Sequence, residues 1–346
     1  MGAPFYALIV CPIASRECFP LANWIWRSSC CGVIQPVSPL IRHADAQGIA
    51  LAAQRLRCGA LVAIPTETVY GLAARADQAD AVAAIYRAKG RPDFNPLIVH
   101  VADLQQAEAL AVFDERARIV AQQFWPGPLT MVLPLRDGGH VAPAVTAGLP
   151  TLALRMPAHP VMRAVLAEAG VPLAAPSANR SGGVSPTQAE HVARSLGDGA
   201  GMVLDGGTCA KGLESTIIAL RGDGSWQLLR PGPVTREALA AMLGEPVAVT
   251  SAKVEAPGQL ISHYAPGKPV RLNAREAAAD EFMIGFGVVA GDCTLSASGD
   301  LAEAAARLYA CLHAGAQANQ PRIAVAPVPE TGIGAAINDR LRRAAA

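Results

Sequence analysis

Two cations lie two residues apart on a loop stiffened by proline. In the segment AKGRPDFNPL (88–97), Lys89 and Arg91 alternate with glycine and proline, between a helical pattern and the apolar strand pattern LIVHV. An arginine can hold phosphate oxygens with a bidentate fork, and a lysine adds a point charge. The loop therefore suits a polyphosphate. Cations are also favourable at the C-terminus of a helix, so a solvated surface loop is the alternative.

Three further loops place many polar groups next to apolar strand patterns. IPTETVYGL (64–72) offers threonine hydroxyls that could bind a small polar ligand or cap the next helix. PLAAPSANRSGGVSPT (172–187) offers hydroxyls and backbone N–H groups that suit phosphate or ribose, although it could be an ordinary turn. DGGTCAKGLESTII (205–218) is rich in glycine and enters a strand. Ligands of α/β proteins bind at loops in such positions.

Two arginines end apolar strand patterns, Arg155 in TLALRMP and Arg230 in LLRPGP. A buried arginine is costly to leave unpaired, so each favours a carboxylate or phosphate ligand. The sequence contains no G-x-x-x-x-G-K-[ST], H-E-x-x-H or G-x-S-x-G motif. The residue types therefore indicate anion binding and the positioning of reactants, with no covalent nucleophile supplied by the protein.

Alternating helical and strand patterns must position these loops. Such alternation predicts an α/β fold in which helices cover a sheet. The predicted helices are 43–57, 77–88, 103–110, 114–124, 158–169, 187–195 and 235–243. The predicted strands are 60–64, 96–101, 129–135, 151–155, 171–174, 201–204, 215–220 and 226–229.

Changes in composition divide the chain into four parts. Residues 1–36 hold half of the cysteines and show no periodicity, which predicts a poorly ordered extension, with a targeting or partner-binding tail as the alternative. Residues 37–247 form the predicted main domain, and the proline-rich residues 248–269 form a linker. Residues 270–346 predict a small Rossmann-like α/β domain, with strand (282–290), helix (301–314), strand (322–326) and helix (333–345) patterns.

The composition excludes several classes of protein. The 346 residues carry a formal net charge of +1 and are 51% hydrophobic, which indicates a globular protein and argues against strong direct nucleic-acid binding. The apolar runs are too short to span a bilayer, and no signal peptide is recognisable, so we expect a cytoplasmic protein without membrane contact. The 8 cysteines include no C-x-x-C pair, so neither a zinc site nor a disulfide framework is expected.

Taken together, the loops resemble those of the threonylcarbamoyl-AMP synthase family in its longer form. The resemblance covers about residues 38–346 and implies a YrdC-type twisted mixed sheet with covering helices, followed by the small C-terminal α/β domain. The matching segments are PTETVYGL (65–72), KGRPDFNPLIVH (89–100), FWPGPLT (124–130), LALRMP (152–157), APSANRSGGVSPT (175–187), ESTII (214–218), LLRPG (228–232), APGQLISHYAP (256–266) and RIAVAPVPETGIGAAINDRLRRA (322–344).

The resemblance also implies a nucleotidyltransferase reaction. L-threonine, bicarbonate or CO₂, and ATP would give threonylcarbamoyl-AMP and pyrophosphate, with Mg²⁺ on the ATP phosphates and no metal site made of side chains. A separate tRNA threonylcarbamoyl transferase complex would receive the product. Chemistry of this kind needs alignment and charge neutralisation more than a protein nucleophile.

Carried over residue by residue, the resemblance implies two groups of ligand-binding side chains. Arg155 would pair with the threonine carboxylate, His100 would contact the polar end of the amino acid, and Tyr264 in the linker would fold over the nucleotide as a lid. The threonine-binding group is Thr68, His100, Arg155 and Ser215. The ATP-binding group is Lys89, Arg91, Asn95, Thr151, Ser177, Asn179, Ser185, Arg230 and Tyr264.

Three other functions compete with this one. An RNA-binding module would need a basic surface and stacking aromatics, and aromatic residues are only 5% of this chain. A carbamoyltransferase of the hydrogenase-maturation type would need zinc-finger and acylphosphatase-like segments, which the sequence lacks. A nucleotide-binding regulator without turnover fits the same loops and stays open.

Overall fold

A mixed sheet carries the main part of the chain. The computed structural model describes residues 39–249, 254–258 and 263–346. The strands are β1 (Leu40–His43), β2 (Val62–Ile64), β3 (Gly71–Arg75), β4 (Ile98–His100), β5 (Leu129–Pro134), β6 (Thr151–Arg155), β7 (Leu173–Ala174), β8 (Met202–Asp205), β9 (Thr216–Leu220) and β10 (Trp226–Arg230). Their order in this 10-stranded sheet is β1-β8-β2-β3-β7-β4-β6-β5-β9-β10, with parallel and antiparallel neighbours interspersed. The predicted mixed sheet is confirmed.

Helices cover this sheet. They are α1 (Ala46–Arg57), α2 (Ala79–Lys89), α3 (Leu104–Leu110), α4 (Glu115–Phe124), α5 (Pro143–Thr146), α6 (Pro160–Ala169), α7 (Ala189–Leu196), continued by a 3₁₀ turn (Gly197–Ala200), and α8 (Arg236–Leu243). The side chains of Asp45 and Asp114 cap the first turns of α1 and α4. Gly90 ends α2 in the left-handed conformation (φ 59°), which glycine adopts without strain and which turns the chain into the loop of Arg91.

A second, smaller sheet follows, and the predicted small α/β domain is confirmed in its architecture. Its strands are β11 (Val270–Arg271), β12 (Glu281–Gly285), β13 (Cys293–Thr294) and β14 (Arg322–Val325), all parallel in the order β11-β14-β12-β13. Two helices pack on it, α9 (Leu301–Gln317) and α10 (Ile333–Ala344). Within the described ranges, no helix combines the length and the apolar character needed to cross a bilayer.

The structure corrects several predicted boundaries. Residues 40–43 form strand β1, so the helix predicted from residue 43 begins only at residue 46. The strand predicted over 282–290 ends at residue 285, because Phe286 pairs with Val289 in a tight turn. Strands β3, β11 and β13 were not predicted. The extension predicted for residues 1–36 lies outside the described residues.

The small sheet and its helices share an apolar core with loops of the main sheet. Val69, Val184 and Leu213 belong to the same buried cluster as residues of α9 and α10. Gly212 marks the closest approach, because a Cβ built there would lie 2.5 Å from the backbone oxygen of Ala305 in α9. The loops that were predicted to carry the chemistry are therefore held in part by the small sheet's helices.

We predict that Gly212→Ala destabilises the protein more than Gly170→Ala. Both glycines have left-handed backbone angles (φ 64° and 69°), but a Cβ at Gly170 meets nothing within 4 Å. Both variants should lose about 1 kcal/mol from backbone strain. Gly212→Ala should lose roughly 1–3 kcal/mol more from overpacking against α9. Urea unfolding of the two variants measures the difference, and equal losses would show that the close approach is not tight.

Candidate active site

A cavity opens at the loops that the sequence singled out. Its wall combines the β2–β3 loop, the loop after α2, the ends of β4, β6 and β10, the segment after β7, the segment before β9 and the linker. Eight of the predicted site residues line it: Thr68, Arg91, His100, Arg155, Ser177, Ser215, Arg230 and Tyr264. The other five are not among the lining residues: Lys89, Asn95, Thr151, Asn179 and Ser185.

Arg155 anchors one end of the cavity through a buried ion pair. One guanidinium nitrogen donates to Glu67 Oε1 at 2.7 Å, a second to Thr68 Oγ1 at 2.9 Å, and Nε to the carbonyl oxygen of Gly127 at 3.1 Å. Burial acts to raise the pKa of Glu67, but Arg155 outweighs it and lowers that pKa overall. Sequence reasoning placed Glu67 on the loop without a role. The structure makes it the partner that fixes the orientation of Arg155.

The threonines of the first loop bind each other. Thr66 Oγ1 and Thr68 Oγ1 lie 2.7 Å apart, and Thr66 Oγ1 also donates to the carbonyl oxygen of Val69 at 2.7 Å. The chain then enters β3, not a helix, so the helix-cap alternative for these hydroxyls is wrong. The hydrogen bonds set the turn that presents Thr68 to the cavity.

His100 lies beside Arg155, since the parallel register of β4 and β6 pairs these two residues. The imidazole is buried, and neither ring nitrogen has a hydrogen-bond partner among the described residues. Burial, together with the Arg155 charge, lowers the pKa of His100 well below its usual value. The ring is therefore neutral at pH 7 and offers one donor and one acceptor to a ligand in the cavity.

Lys89 ties the cation-rich loop to the serine-rich loop. Its Nζ donates to the carbonyl oxygens of Ser177 and Asn179, each at 2.5 Å. Arg91 donates from Nε to the carbonyl oxygen of Asn95 at 3.2 Å and from a terminal nitrogen to that of Pro96 at 2.8 Å. Arg91 and Ser177 line the cavity, while Lys89 holds them together from behind.

Of the remaining predicted ATP ligands, Asn95 and Asn179 contact these cations through their backbone carbonyl oxygens, whereas in the described part of the chain no hydrogen bond joins Thr151 to them. Thr151 begins β6, where it pairs with Pro134 of β5, at the opposite end of the strand from Arg155. The side-chain oxygens of Asn95 and Asn179 are buried without a hydrogen-bond partner in the described part of the chain. These orphaned acceptors are unusual in a folded protein and favour a ligand or water nearby.

Arg230 and Ser215 form the wall between the two ends. Arg230 donates to the carbonyl oxygen of Ser215 at 3.0 Å, to Ser215 Oγ at 3.1 Å and, more weakly, to the carbonyl oxygen of Pro257 at 3.4 Å. Thr130 Oγ1 lies 2.7 Å from Ser215 Oγ. Ser215 is thus fixed from two sides. Arg230, the last residue of β10, lines the cavity.

Three buried or half-buried cations make no direct ion pair within the described chain, although Glu214 acts on Arg230 from a longer distance. Lys89, Arg91 and Arg230 contact only neutral oxygens, and among the described residues none lies within ion-pair distance of a carboxylate. Burial lowers the pKa of each, that of Arg91 to about 10. Because desolvated charge without a counter-charge is unfavourable, this end of the cavity is built to receive an anion with several charges.

Sequence reasoning missed Glu214, which lies next to Ser215. Its carboxylate accepts from Ser185 Oγ at 2.5 Å, from Tyr309 Oη at 2.7 Å and from Arg340 Nε at 2.9 Å. Ser185, predicted as an ATP ligand, is therefore occupied with Glu214 here. No local signal identifies Glu214, because its partners are distant in the sequence: Ser185, Tyr309 on α9 and Arg340 on α10.

The linker contributes two neighbouring rings to the cavity wall. Tyr264 is almost fully buried with a left-handed backbone (φ 64°), and its Oη has no partner among the described residues. His263, which was not predicted, also lines the cavity. Residues 250–253 and 259–262 lie outside the described residues, so the predicted linker (248–269) is described only over 248–249, 254–258 and 263–269.

Comparison with known proteins identifies the family of this chain. A family model described as Telomere recombination, which covers Sua5, YciO and YrdC, matches residues 54–232, and one described as Threonylcarbamoyl-AMP synthase, C-terminal domain, matches residues 234–346. The threonylcarbamoyl-AMP synthase of Bacillus subtilis is 42% identical over 323 residues, covering 86% of this chain and 92% of the relative. The chain belongs to the threonylcarbamoyl-AMP synthase family.

Other members of the family match this chain along most of their own length. The threonylcarbamoyl-AMP synthase of Pyrococcus abyssi is 39% identical, covering 86% of this chain and 93% of the relative. The crystal structure of P. abyssi Sua5 complexed with L-threonine superimposes with a TM-score of 0.79 at 37% identity, covering 89% of this chain and 97% of that chain. The predicted family, its enzyme class and the fold are thereby confirmed.

We predict that Glu214 gives the protein a distinct acid sensitivity. Burial acts to raise the pKa of Glu214, but Arg340 and Arg230 outweigh it and hold that pKa at about 2. A carboxylate whose pKa is depressed by folding stabilises the protein above its unfolded pKa and loses that contribution as the pH falls towards the folded value. Between pH 6 and pH 3, wild type should lose about 2 kcal/mol more unfolding free energy than Glu214→Gln.

Urea unfolding at the two pH values measures this difference. Glu245→Gln is the control, because Glu245 pairs with Arg236 at the exposed surface, where ion pairs contribute little. An equal loss in wild type and Glu214→Gln would contradict the assignment of Glu214 as a buried anion.

Proposed function

We propose that this protein joins L-threonine, bicarbonate or CO₂, and ATP into threonylcarbamoyl-AMP, with release of pyrophosphate. The observation that carries the proposal is the set of cations at one end of the cavity, Lys89, Arg91 and Arg230, which contact only neutral oxygens. A triphosphate supplies the missing negative charge. Curated relatives are named for this activity, and P. abyssi Sua5 binds L-threonine.

The cationic end would hold ATP. Arg91 and Arg230 would contact the phosphates directly, with Ser177 and Tyr264 on the same wall. Lys89 would reach the phosphates or act through the loop carbonyls that it holds. The remaining proposed contacts, Asn95, Thr151, Asn179 and Ser185, would bind the nucleotide or shape its loops.

The other end would hold L-threonine among Thr68, His100, Arg155 and Ser215. Arg155 would bind the threonine carboxylate while Glu67 keeps its guanidinium in orientation. His100, neutral at pH 7, would meet the polar end of the amino acid without adding charge.

The reaction depends on the alignment of the two substrates bound at the two ends of the cavity. The threonine amine attacks CO₂ and loses a proton, which gives a carbamate. A carbamate oxygen then attacks the α-phosphorus, and the bond to pyrophosphate breaks in line. The cations neutralise the charge that develops on the phosphates, so the protein needs no covalent nucleophile.

Mg²⁺ fits this site as a companion of the phosphates. The carboxylates near the cavity, Glu67 and Glu214, are already bound to Arg155 and Arg340. No group of three or more His, Cys, Asp or Glu side chains that could hold a metal occurs in the described ranges. When bound, Mg²⁺ would be held by phosphate oxygens and would neutralise part of their charge.

Several further expectations belong to the same proposal. The product would pass to a tRNA threonylcarbamoyl transferase complex in the cytoplasm, without strong direct binding of nucleic acid by this chain. The division into an extension (1–36), a catalytic domain (37–247), a linker (248–269) and a small domain (270–346) remains our interpretation of the sequence.

The decisive assay is pyrophosphate release from ATP by the purified protein, with L-threonine and bicarbonate each present or omitted. We expect release only when both are present. Arg91→Ala should lower the rate at least about a hundredfold, since it removes a charge-assisted donor to the phosphates. Arg163→Ala, an exposed arginine on α6, is the matched control and should leave the rate unchanged.

ATP binding without pyrophosphate release under any of these conditions would contradict the proposal. It would leave a nucleotide-binding regulator as the function. Affinity for tRNA that falls steeply with salt would instead support the RNA-binding alternative.

A further inference from the structure

The last helix of the chain reaches the back of the cavity. Arg340 on α10 is completely buried, and its Nε donates to Glu214 Oε2 at 2.9 Å. Tyr309 on α9 donates its hydroxyl to the same carboxylate oxygen at 2.7 Å. Glu214 and the neighbouring Ser215 both line the cavity. Two helices of the small sheet are thus fastened directly to the cavity wall.

The same two residues also hold Tyr264. The guanidinium carbon of Arg340 lies 5.4 Å from the centroid of the Tyr264 ring, within the range of a cation–π contact. The Tyr309 ring stacks on the Tyr264 ring, with 5.6 Å between the two centroids. A non-glycine residue with φ 64° is strained, and such a conformation persists only when its surroundings fix it. Arg340 and Tyr309 supply that fixation.

The hydroxyl of Tyr264 lies near Arg230. It is buried without a hydrogen-bond partner in the described part of the chain. A Cβ built on Gly258 would lie 2.8 Å from Arg230 Cδ and 3.3 Å from the Tyr264 hydroxyl, so the hydroxyl lies close to Arg230. The hydroxyl and the Arg230 guanidinium are therefore close enough together to contact one ligand.

We propose that Arg340 and Tyr309 are positioning residues of the ATP site. They hold the Tyr264 ring and the Glu214 carboxylate from behind, so that the small α/β unit completes the cavity at its nucleotide end. This inference rests on the proposed function and assigns residues of α9 and α10 a part in it.

The threonine end should be affected much less. Ser215 is held by Thr130 Oγ1 at 2.7 Å and by Arg230 at 3.0 and 3.1 Å, independently of Arg340. Arg155 is fixed by Glu67 and Thr68. Loss of Arg340 should therefore weaken the binding of ATP more than that of L-threonine, whereas a general loss of structure would weaken both.

The test compares Arg340→Met, Arg340→Lys and a control, Arg342→Ala. Met keeps the length of the side chain without its charge, and Lys keeps the charge. Arg342 lies on the same helix but pairs with Glu330 at the surface, so its removal should change nothing. For each protein we would measure the Kd for ATP by calorimetry and the KM for ATP and for L-threonine by pyrophosphate release.

Arg340→Met is expected to raise the Kd and KM for ATP about tenfold or more and the KM for L-threonine less than about threefold. Arg340→Lys should recover a large part of the loss. Wild-type ATP affinity in Arg340→Met, or a parallel rise of both KM values, would overturn the inference.

Two further results keep the test decisive. If Arg340→Met does not fold, Tyr309→Phe takes its place, since it removes one hydrogen bond and keeps the ring; unchanged ATP affinity in that variant would overturn the inference. If wild type binds ATP but releases no pyrophosphate, the proposed function fails, while the calorimetric comparison still decides the role of Arg340.

Discussion

Lys89, Arg91 and Arg230 bring positive charge out of water without a carboxylate in contact among the described residues, and of the three only Arg230 is acted on by a carboxylate, that of Glu214, from a longer distance. Folding must supply the energy for this arrangement, because desolvated cations are unfavourable unless they are paired. Backbone carbonyl oxygens accept hydrogen bonds from these cations and hold them in place, but they add no negative charge. A bound triphosphate would bring negative charge into contact with the cations. The arrangement therefore lowers the stability of the fold and raises the affinity of the site for an anion, as is common at functional sites.

The mixed sheet makes this arrangement possible. Parallel pairing of β4 with β6 places His100 beside Arg155, while the antiparallel end of the sheet brings Arg230 to the same cavity. The Arg155–Glu67 pair closes one end with balanced charge, and the unpaired cations form the other. Two substrates of different charge can thus lie in one cavity with their reacting groups between the two ends. The α9 and α10 helices hold this wall from outside.

Local features of the sequence were enough to find most of the cavity. An arginine that ends an apolar strand, such as Arg155 or Arg230, is visible without tertiary structure, and so are the polar loops. Strands β1 and β3 were missed for local reasons: β1 is exposed at all its residues, and β3 (GLAAR) is built from residues with low strand propensity. Glu214 and Arg340 were missed because they look like ordinary charged residues; Arg340 stands among other arginines in NDRLRRA, and only the packing of α10 shows which one is buried.

The most direct test of the unpaired charge is a calorimetric titration of the wild-type protein with inorganic tripolyphosphate and, separately, with adenosine, both in the presence of Mg²⁺. Tripolyphosphate has the phosphate chain of the nucleotide, with one more ionisable oxygen, and lacks its base and sugar. If buried cations create the site, tripolyphosphate binds measurably, its affinity falls in Arg91→Ala, and adenosine binds far more weakly. Adenosine that binds as tightly as tripolyphosphate, or tripolyphosphate that does not bind, would contradict the account.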